Sequence, residues 1–313
     1  MKYTKNLKNL TIKDVGIAGG KGASLGEMFN NGIPVPDGFV ILSSTFDEFI
    51  SQSELNTSIN EILELLDQSD TKAVDIASKK IHSLILNTAI PNPVAKEILS
   101  SFEGLKSPFV AVRSSATSED GVDHAWAGQL DSYLNTTEQF LLEKVQACWA
   151  SLFTPRAILY RIEKDLSKTH ISVAVVVQKM VNSEISGIAF SVHPITKDPN
   201  ELIIEAGFGL GEAIVSGSVT PDSYIVEKNS NMILDITVSS QLEAMYRNNK
   251  GENIWKKLDT TEGNKQALSG KKIIELAEII KTIETHYGFP CDIEWAYEDN
   301  KFYIVQSRPI TTL

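Results

Sequence analysis

The stretch CDIEWAYEDNKFYIVQSRPITTL, residues 291–313, contains two runs in which polar and apolar residues alternate. This period of two predicts a β-hairpin, and the polar residues 299–301 between the runs predict a three-residue loop. Because alternate residues of a strand share a face, Asp292 and Glu294 lie on one face of the first strand and Trp295 lies on the other. Two carboxylates within an apolar run suggest a functional site.

The second strand carries its own polar pair, since Gln306 and Arg308 are two residues apart and share a face. A three-residue loop brings the apolar faces of the two strands into register. The resulting cross-strand pairs are Tyr297–Tyr303, Glu294–Gln306 and Asp292–Arg308. Directly opposed residues have Cβ atoms about 5 Å apart. The hairpin therefore collects two carboxylates, one amide oxygen and one guanidinium in a small patch.

This polar patch has two interpretations. Carboxylate and amide oxygens are hard ligands that suit Mg²⁺, and a guanidinium suits the phosphate that the metal would carry. In the other interpretation the hairpin faces solvent, and Asp292 forms a surface salt bridge with Arg308. The hairpin alone leaves both interpretations open.

Composition limits the class of protein. The chain has 313 residues, of which 42% are hydrophobic and 22% charged, so it can bury one large core or two smaller lobes. The net charge of -11 argues against a nucleic-acid surface. No apolar run approaches the length of about 18 residues that suggests a membrane span. Cys148 and Cys291 match no metal or redox spacing, which predicts buried, reduced thiols of a cytoplasmic protein.

The order of predicted elements indicates an α/β (α+β) protein with a helix-rich first half and a strand-rich second half. Helices are predicted at 21–31, over most of 44–104 with breaks near Asp70 and at IPNP, and at 137–151, 154–165 and 270–286. Strands are predicted after GIPVPDG and at 108–114, 171–181 and 185–194, besides the hairpin. No repeat or linker separates the halves. We therefore expect one functional unit with lobes at about 1–180 and 181–313.

Glycines directly before the first helix form a candidate phosphate loop. Gly19, Gly20 and Gly22 would let backbone N–H groups approach a phosphate, and Lys21 adds a positive charge at the helix N-terminus. The stretch resembles a Walker A loop without matching it, because Gly16 is one residue too close and Gly22 stands where Ser or Thr is required. The alternative is a simple turn before a helix.

The stretch AVRSSATSEDGVDHAWAGQ, residues 111–129, is a second candidate site. Arg113 lies at the end of a predicted strand and precedes a loop of hydroxyls and small residues. A guanidinium in that position can bind phosphate oxygens. Alternatively, Arg113 pairs with Glu119 or Asp120.

The glycine-rich segment GFGLGEAIVSG, residues 207–217, lacks the G-x-G-x-x-G order and gives no support for a dinucleotide fold. Its glycines more simply shape a loop near a cleft. Glu205 and Glu212 flank this loop, either as solvated side chains or as members of the site.

Several motifs occur together in this order: GGKGASLGEM…GIPVPDGFV, VAVRSSATSEDG…AGQLDSYLN, VVVQKMV…SGIAFSVHP, GFGLGEAIVSG and DIEWAYED…YIVQSRP. Together they resemble the nucleotide-binding domain of the dikinase family, which includes phosphoenolpyruvate synthase, pyruvate phosphate dikinase and rifampicin phosphotransferase. The resemblance covers essentially the whole chain. It implies a two-lobed ATP-grasp fold that holds ATP between its lobes.

The resemblance also implies roles for matching residues. Those that would contact ATP phosphates are Lys21, Arg113 at the β/γ end and Arg308 as a second arginine. The segment beside adenine would be Gln178, Lys179 and Met180, with the backbone contacting the base edge and Met180 packing on its face. Mg²⁺ would be bound by Glu294 and Gln306, with Asp292 next to them. Gly128 and Ser132 would belong to the loop that covers the phosphates.

The predicted function is that of the Mg-ATP-binding half of a dikinase-type phosphotransferase. Family members carry a histidine on a mobile domain, in a threonine-and-glycine-rich motif, and a further domain for the acceptor. None of the five histidines of this chain has such surroundings, and His193 in SVHPIT is interpreted as structural. We therefore expect a phosphohistidine carrier on a separate chain or missing segment. The alternatives are a nucleotide-binding sensor or regulatory partner without turnover and, less favoured, an ATP-grasp carboxylate–amine ligase.

Overall fold

The computed structural model describes residues 2–68, 70–117, 120–121, 124–125, 130–164, 166, 171–311 and 313. The chain forms two compact units. The first consists of Met1–Glu27 and Asp37–Met180, and the second of Met28–Pro36 and Val181–Leu313. The short segment Met28–Pro36 therefore departs from a division of the sequence at residue 180. It packs in the second unit, where the Ile304 N–H donates to the Pro34 carbonyl oxygen over 2.8 Å.

The first unit is built on a five-stranded antiparallel sheet with the strand order β1-β2-β7-β3-β6. Two further short strands, β4 and β5, pair with each other. The strand bounds are β1 Thr4–Asn6, β2 Gly38–Ile41, β3 Val110–Ala116, β4 Asp120–Gly121, β5 His124–Ala125, β6 Ser132–Thr136 and β7 Val173–Lys179. Strand β7 lies at the centre of this sheet. Six of its seven residues are buried, in agreement with its run of valines.

Helices cover the first-unit sheet. Their bounds are α1 Val15–Asn30, α2 Ser43–Gln52, α3 Leu55–Glu64, α4 Thr71–Asn87, α5 Asn92–Leu105, α6 Glu138–Ala150 and α7 Pro155–Glu163. The predicted helical breaks near Asp70 and at IPNP are confirmed, and Asp70 caps α4 by accepting from the Lys72 N–H over 2.8 Å. Trp149 of α6 packs against Phe49 of α2 with ring centroids 4.8 Å apart, so the helices share one aromatic core.

Helix α1 is interrupted at Gly19, which has φ 67° and ψ 171°. The hydroxyl of Ser115 in β3 joins the two parts: it accepts from the Gly22 N–H over 3.2 Å and donates to the Ala18 carbonyl oxygen over 3.0 Å. Gly19 therefore needs both a left-handed backbone and close approach to β3. The predicted loop before the helix is thus reduced to the interruption at Gly19, because residues on both sides of it are helical and the Gly22 N–H is bonded to Ser115.

The second unit contains a six-stranded antiparallel sheet with the order β11-β10-β9-β8-β14-β15, and a separate hairpin, β12-β13. The strand bounds are β8 Ile185–Phe190, β9 Glu201–Phe208, β10 Asp222–Glu227, β11 Met232–Thr237, β12 Glu243–Arg247, β13 Asn253–Lys257, β14 Cys291–Glu298 and β15 Lys301–Pro309. The helices are α8 Glu212–Val215, α9 Thr260–Gly263 and α10 Gly270–Tyr287. Among the residues described, no helix combines the length and apolar character of a membrane-spanning segment.

Helix α10 covers one face of the second-unit sheet. Its apolar stripe is fully buried and consists of Ile273, Leu276, Ala277, Ile280 and Ile283. The ammonium group of Lys272 on this helix lies 5.0 Å from the ring centroid of Tyr297 and 5.6 Å from that of Phe302, which places α10 on the face that carries these two rings. The opposite face of the sheet is available for polar side chains.

Both cysteines are free and buried, as predicted. Burial raises the pKa of the Cys148 and Cys291 thiols to about 12 each, so both are protonated near neutral pH. Protonated, buried thiols are poor nucleophiles and poor metal ligands. They therefore serve as small apolar core residues.

We predict that Gly19→Ala lowers the free energy of unfolding by about 2–5 kcal/mol, because alanine disfavours a left-handed backbone and its Cβ would overlap with Ser115. Gly16→Ala is the matched control, since a Cβ at Gly16 has no neighbour within 4 Å. Urea unfolding of both variants would test this. Equal stability of the two variants would contradict the proposed connection between α1 and β3.

Candidate functional site

The turn of the β14–β15 hairpin is shorter than predicted. Asp299 and Asn300 have φ values of 50° and 61°, and Glu298 pairs directly with Lys301. Two consecutive left-handed residues are typical of a type I′ turn, which favours Asp and Asn. The three-residue loop is therefore wrong.

Pairing near the turn differs from the prediction as a consequence. Tyr297 lies opposite Phe302 rather than Tyr303, and Trp295 lies opposite Ile304. Phe302 is 2% exposed and packs against Trp295 with ring centroids 5.7 Å apart. The two-residue turn is preferred because it buries the larger apolar side chains.

A β-bulge restores the predicted pairing further from the turn. Val305 is the additional residue, because Trp295 pairs with Ile304 whereas Glu294 pairs with Gln306. The predicted pairs Glu294–Gln306 and Asp292–Arg308 are thus confirmed. All four polar side chains lie on the sheet face opposite α10, and we call them the hairpin patch.

The hairpin patch extends across the sheet as a row of opposed residues. Ile188 of β8 lies between Glu294 of β14 and Glu205 of β9, so these three residues and Gln306 share a face in one line. Neighbouring strands are about 4.8 Å apart, which places Glu205 about 10 Å from Glu294. Sequence spacing left the position of Glu205 open, because only strand pairing brings it beside the hairpin.

Asp292 and Arg308 form the closest ion pair of the patch. Both the Nε and Nη2 atoms of Arg308 donate to Oδ2 of Asp292, over 2.8 Å and 2.6 Å. Burial raises the pKa of Asp292, the Arg308 guanidinium opposes that rise, and the charge of Glu294 adds to it. The arginine thus compensates part of the cost of a partly buried carboxylate.

Glu205 carries a second perturbed carboxyl group. Burial raises the pKa of Glu205, and the negative charge of Asp292 adds to the rise. Its carboxylate has neither a hydrogen bond nor an ion pair to the residues that the structure describes. A half-buried anion without a protein partner favours a cation or a hydroxyl-bearing ligand.

The oxygen donors of the patch fit a magnesium ion. Gln306 is only 8% exposed, and its amide has no hydrogen bond to a described side chain or backbone group. Its cross-strand neighbour Glu294 supplies a carboxylate. No group of three or more His, Cys, Asp or Glu side chains in the described ranges is arranged to hold a metal ion. One carboxylate and one amide oxygen fit Mg²⁺, which is commonly bound by one or two protein groups together with ligand phosphates and water.

In the first unit, Arg113 and Ser115 are two residues apart in β3 and share a face. Since Ser115 bonds both sides of Gly19, the part of α1 that carries Lys21 packs on the face from which Arg113 projects. Ser132 is the cross-strand partner of Arg113 and is exposed. The structure therefore associates Lys21, Arg113 and Ser132 with one region of this sheet.

Two sequence expectations near Arg113 concern residues outside the described ranges. Gly128, predicted to cover phosphates, is one of them. The alternative pairing of Arg113 with Glu119 or Asp120 is the other, because residue 119 and the side chain of residue 120 lie outside the description.

The predicted adenine segment ends β7. Gln178 is 1% exposed, and the next two N–H groups are used within the unit: Lys179 donates to the Asp37 carbonyl oxygen over 2.8 Å and Met180 to that of Phe109 over 3.1 Å. A base edge at this segment would consequently be contacted by groups other than these two N–H groups. Met180 is half-buried, which suits packing against an apolar ligand.

Buried polar residues hold the glycine-rich segment 207–217 in place. Gln241 accepts from the Phe208 N–H over 3.0 Å and donates to the Ala206 carbonyl oxygen over 3.2 Å. Asp222 is fully buried and accepts from Gln241 over 3.2 Å. This segment is thus braced by side chains that no sequence motif indicated.

Two other candidates have structural contacts. His193 is buried, and its Nδ1 accepts from the N–H groups of Ile195 and Thr196 over 3.2 Å and 3.3 Å, in agreement with its interpretation as structural. Glu212 accepts from the Asn253 side chain over 2.8 Å. Neither belongs to the hairpin patch.

Comparison with known proteins identifies the family. The family model described as pyruvate phosphate dikinase, AMP/ATP-binding domain, matches residues 15–313. The chain belongs to this family. The pyruvate phosphate dikinase AMP/ATP-binding domain is an ATP-grasp-type fold, so the predicted fold class and the resemblance are both confirmed.

Relatives within this family include long proteins of different names. A probable phosphoenolpyruvate synthase of Methanocaldococcus jannaschii is 46% identical over 100% of this chain and 27% of the relative. The phosphoenolpyruvate synthase of Pyrococcus furiosus is 38% identical over 100% of this chain and 44% of the relative. The rifampicin phosphotransferase of Bacillus subtilis is 40% identical over 98% of this chain and 36% of the relative. The chain therefore spans less than half the length of each.

We predict that the two faces of β14 respond differently to mutation. Trp295→Ala should lower the free energy of unfolding by about 3–5 kcal/mol, because it empties a buried site beneath α10. Glu294→Gln should change it by about 1 kcal/mol or less, since volume is kept on the polar face. Unfolding in urea without nucleotide would measure both. Similar losses for both variants would show that Glu294 is a stabilising residue of the core.

Proposed function

We propose that this chain is the Mg-ATP-binding part of a dikinase-type phosphotransferase. The observation that carries the proposal is the hairpin patch, in which β14 and β15 place two carboxylates, an amide and a guanidinium on one sheet face. Membership of the AMP/ATP-binding family supports the nucleotide. The donor set of the patch supports the metal.

The proposed roles follow from side-chain chemistry. Glu294 and Gln306 bind Mg²⁺, and Asp292 lies next to them. The cationic residues, Lys21, Arg113 and Arg308, bind phosphate oxygens. When bound, Mg²⁺ neutralises phosphate charge and orients the polyphosphate. Phosphoryl transfer depends mainly on such positioning and charge stabilisation, and these side chains are of the types that it requires.

Two further residue assignments complete the nucleotide site. Ser132 is placed near phosphate because it is the exposed neighbour of Arg113. Gln178, Lys179 and Met180 are placed beside adenine, with Met180 packing on the ring. The N–H groups of Lys179 and Met180 already have protein acceptors. Recognition of the base edge therefore falls to the remaining groups of the segment.

The proposed reaction transfers the β-phosphoryl group of ATP to a histidine on a separate chain or domain, releases AMP, and releases the γ-phosphoryl group to water as inorganic phosphate. The relatives are much longer than the matched region, which supports a division of binding, carrier and acceptor among parts of the enzyme. The relatives are named as phosphoenolpyruvate synthases and as a rifampicin phosphotransferase, which supports a nucleotide part shared by enzymes of different activity. We place the protein in the cytoplasm, since both thiols are free and buried.

Binding of ATP is expected to depend on Mg²⁺ and on the hairpin patch. Glu294→Gln should weaken Mg-dependent ATP binding, because a metal ligand loses its charge. Arg308→Ala should weaken ATP more than AMP, with a loss of about 1.5–3 kcal/mol for a charge-assisted contact. Calorimetric titration with each nucleotide would measure these effects.

Trp295→Ala is the control for this experiment, because its side chain lies on the α10 face and contributes to stability. At a temperature where the variant stays folded, its ATP affinity should match that of the parent protein. Unchanged Mg-ATP affinity in folded Glu294→Gln and Arg308→Ala would reject the patch as the site. Absence of binding by the parent protein at about 1 mM ATP would reject the proposed function.

Turnover should require a histidine acceptor. We expect slow ATP hydrolysis at most by this chain alone, and formation of AMP and phosphohistidine when a dikinase carrier domain is added. ATP labelled at the β-phosphate would follow the transferred group. Rapid conversion to ADP without an acceptor would instead indicate an ordinary ATPase. ATP binding without transfer to any carrier would favour a nucleotide sensor.

A further inference from the structure

The contact between Asp292 and Arg308 has an uneven geometry. Two nitrogens of the guanidinium, Nε and Nη2, donate to one carboxylate oxygen, Oδ2. Neither bond uses Nη1. Two donors on one side of a planar group restrict its rotation, so the carboxylate restricts the orientation of the guanidinium.

Burial shows which partner is the anchor. The Asp292 side chain is 14% exposed, whereas that of Arg308 is 41% exposed. Asp292 also lies on β14, which has neighbours on both sides, while Arg308 lies on β15 at the end of the sheet order. The aspartate is thus the fixed member of the pair, and the arginine is the member that reaches toward solvent.

The same contact disfavours Asp292 as a direct metal ligand. Oδ2 already accepts two bonds from a cation, and Mg²⁺ at that oxygen would stand next to the guanidinium charge. Glu294 and Gln306 oppose each other two pairs further along the hairpin, and the Ile293–Ser307 pair between them projects to the other face. On this face of the hairpin, the proposed metal ligands Glu294 and Gln306 therefore lie next to the Asp292–Arg308 pair.

We propose that Asp292 is a positioning residue that holds the guanidinium of Arg308 ready for the terminal phosphates of ATP. The inference rests on the proposed function, because Arg308 is a phosphate-binding residue of that proposed site. A free arginine loses rotamer freedom when it binds a ligand, and an arginine already held by a carboxylate loses less. Asp292 thus acts on ATP through Arg308 rather than through the metal.

A double-mutant cycle tests this dependence. Arg308→Ala should raise the Kd for ATP about tenfold or more at saturating Mg²⁺. Asp292→Ala should raise it by a comparable factor and leave the Kd for AMP within about twofold. The double variant should be no weaker than Arg308→Ala alone, because the aspartate has nothing left to position. Independent roles would instead multiply the two fold-changes.

The Mg²⁺ dependence gives a second readout. In Asp292→Ala, the Mg²⁺ concentration that half-saturates ATP binding should equal that of the parent protein, whereas Glu294→Gln should raise it. Asp292→Asn keeps an oxygen that can accept from Arg308, so it should recover part of the lost ATP affinity. Should Asp292→Ala fail to fold in a thermal melt, Asp292→Asn in the cycle with Arg308→Ala provides the same comparison.

Glu284→Ala is the matched control. Glu284 lies on α10 and contacts Lys228 over 2.6 Å in another partly buried ion pair of the second unit. Its loss should leave ATP affinity and Mg²⁺ dependence unchanged. Multiplicative effects in the cycle, or restoration of Asp292→Ala by excess Mg²⁺, would overturn the inference. If the parent protein bound no ATP, the proposed function itself would fail, which is a distinguishable result.

Discussion

Burial of Trp295 and Ile293 beneath α10 is the interaction on which the second unit depends. These side chains are 1% and 0% exposed, and they fix which face of β14 is turned toward the core. Because a strand has a period of two, the same constraint turns Asp292 and Glu294 to the other face. The orientation of the polar groups is therefore maintained by hydrophobic packing on the far side of the strand.

In the first unit, hydrogen bonds rather than apolar packing position the segments that carry the basic residues Lys21 and Arg113. One hydroxyl, that of Ser115, bridges the interruption of α1 and ties the glycine loop to β3. Because Arg113 is two residues away in the same strand, its backbone has a defined relation to the part of α1 that carries Lys21. A glycine at position 19 makes this approach sterically possible.

Periodic features were predictable from sequence because they reflect local physical chemistry. The helix breaks, the buried central strands and the free cysteines follow from periodicity, capping or spacing. The inner pairs of the hairpin match the prediction only because the bulge at Val305 compensates for the shorter turn. The nucleotide chemistry followed from several motifs in a fixed order. These features needed no knowledge of which distant strands pair.

Features that depend on long-range pairing were less predictable. Glu205 joins the row of Glu294 only through β8, which periodicity cannot reveal. Assignment of Met28–Pro36 to the second unit depends on a contact with β15. The resemblance implied that the backbone of residues 178–180 contacts the base edge, but the N–H groups of Lys179 and Met180 donate to backbone carbonyls of other segments.

Because of the bulge at Val305, two different turn lengths give the same cross-strand pairs far from the turn. A three-residue loop without a bulge and a two-residue turn with one lead to the same pairs Glu294–Gln306 and Asp292–Arg308, so the two arrangements differ only in the segment from Trp295 to Val305. The choice rests on whether Phe302 and Ile304 or Tyr303 and Val305 face the core. A change between these two registers near the turn would therefore leave the pairs Glu294–Gln306 and Asp292–Arg308 unchanged, together with the polar face that they form.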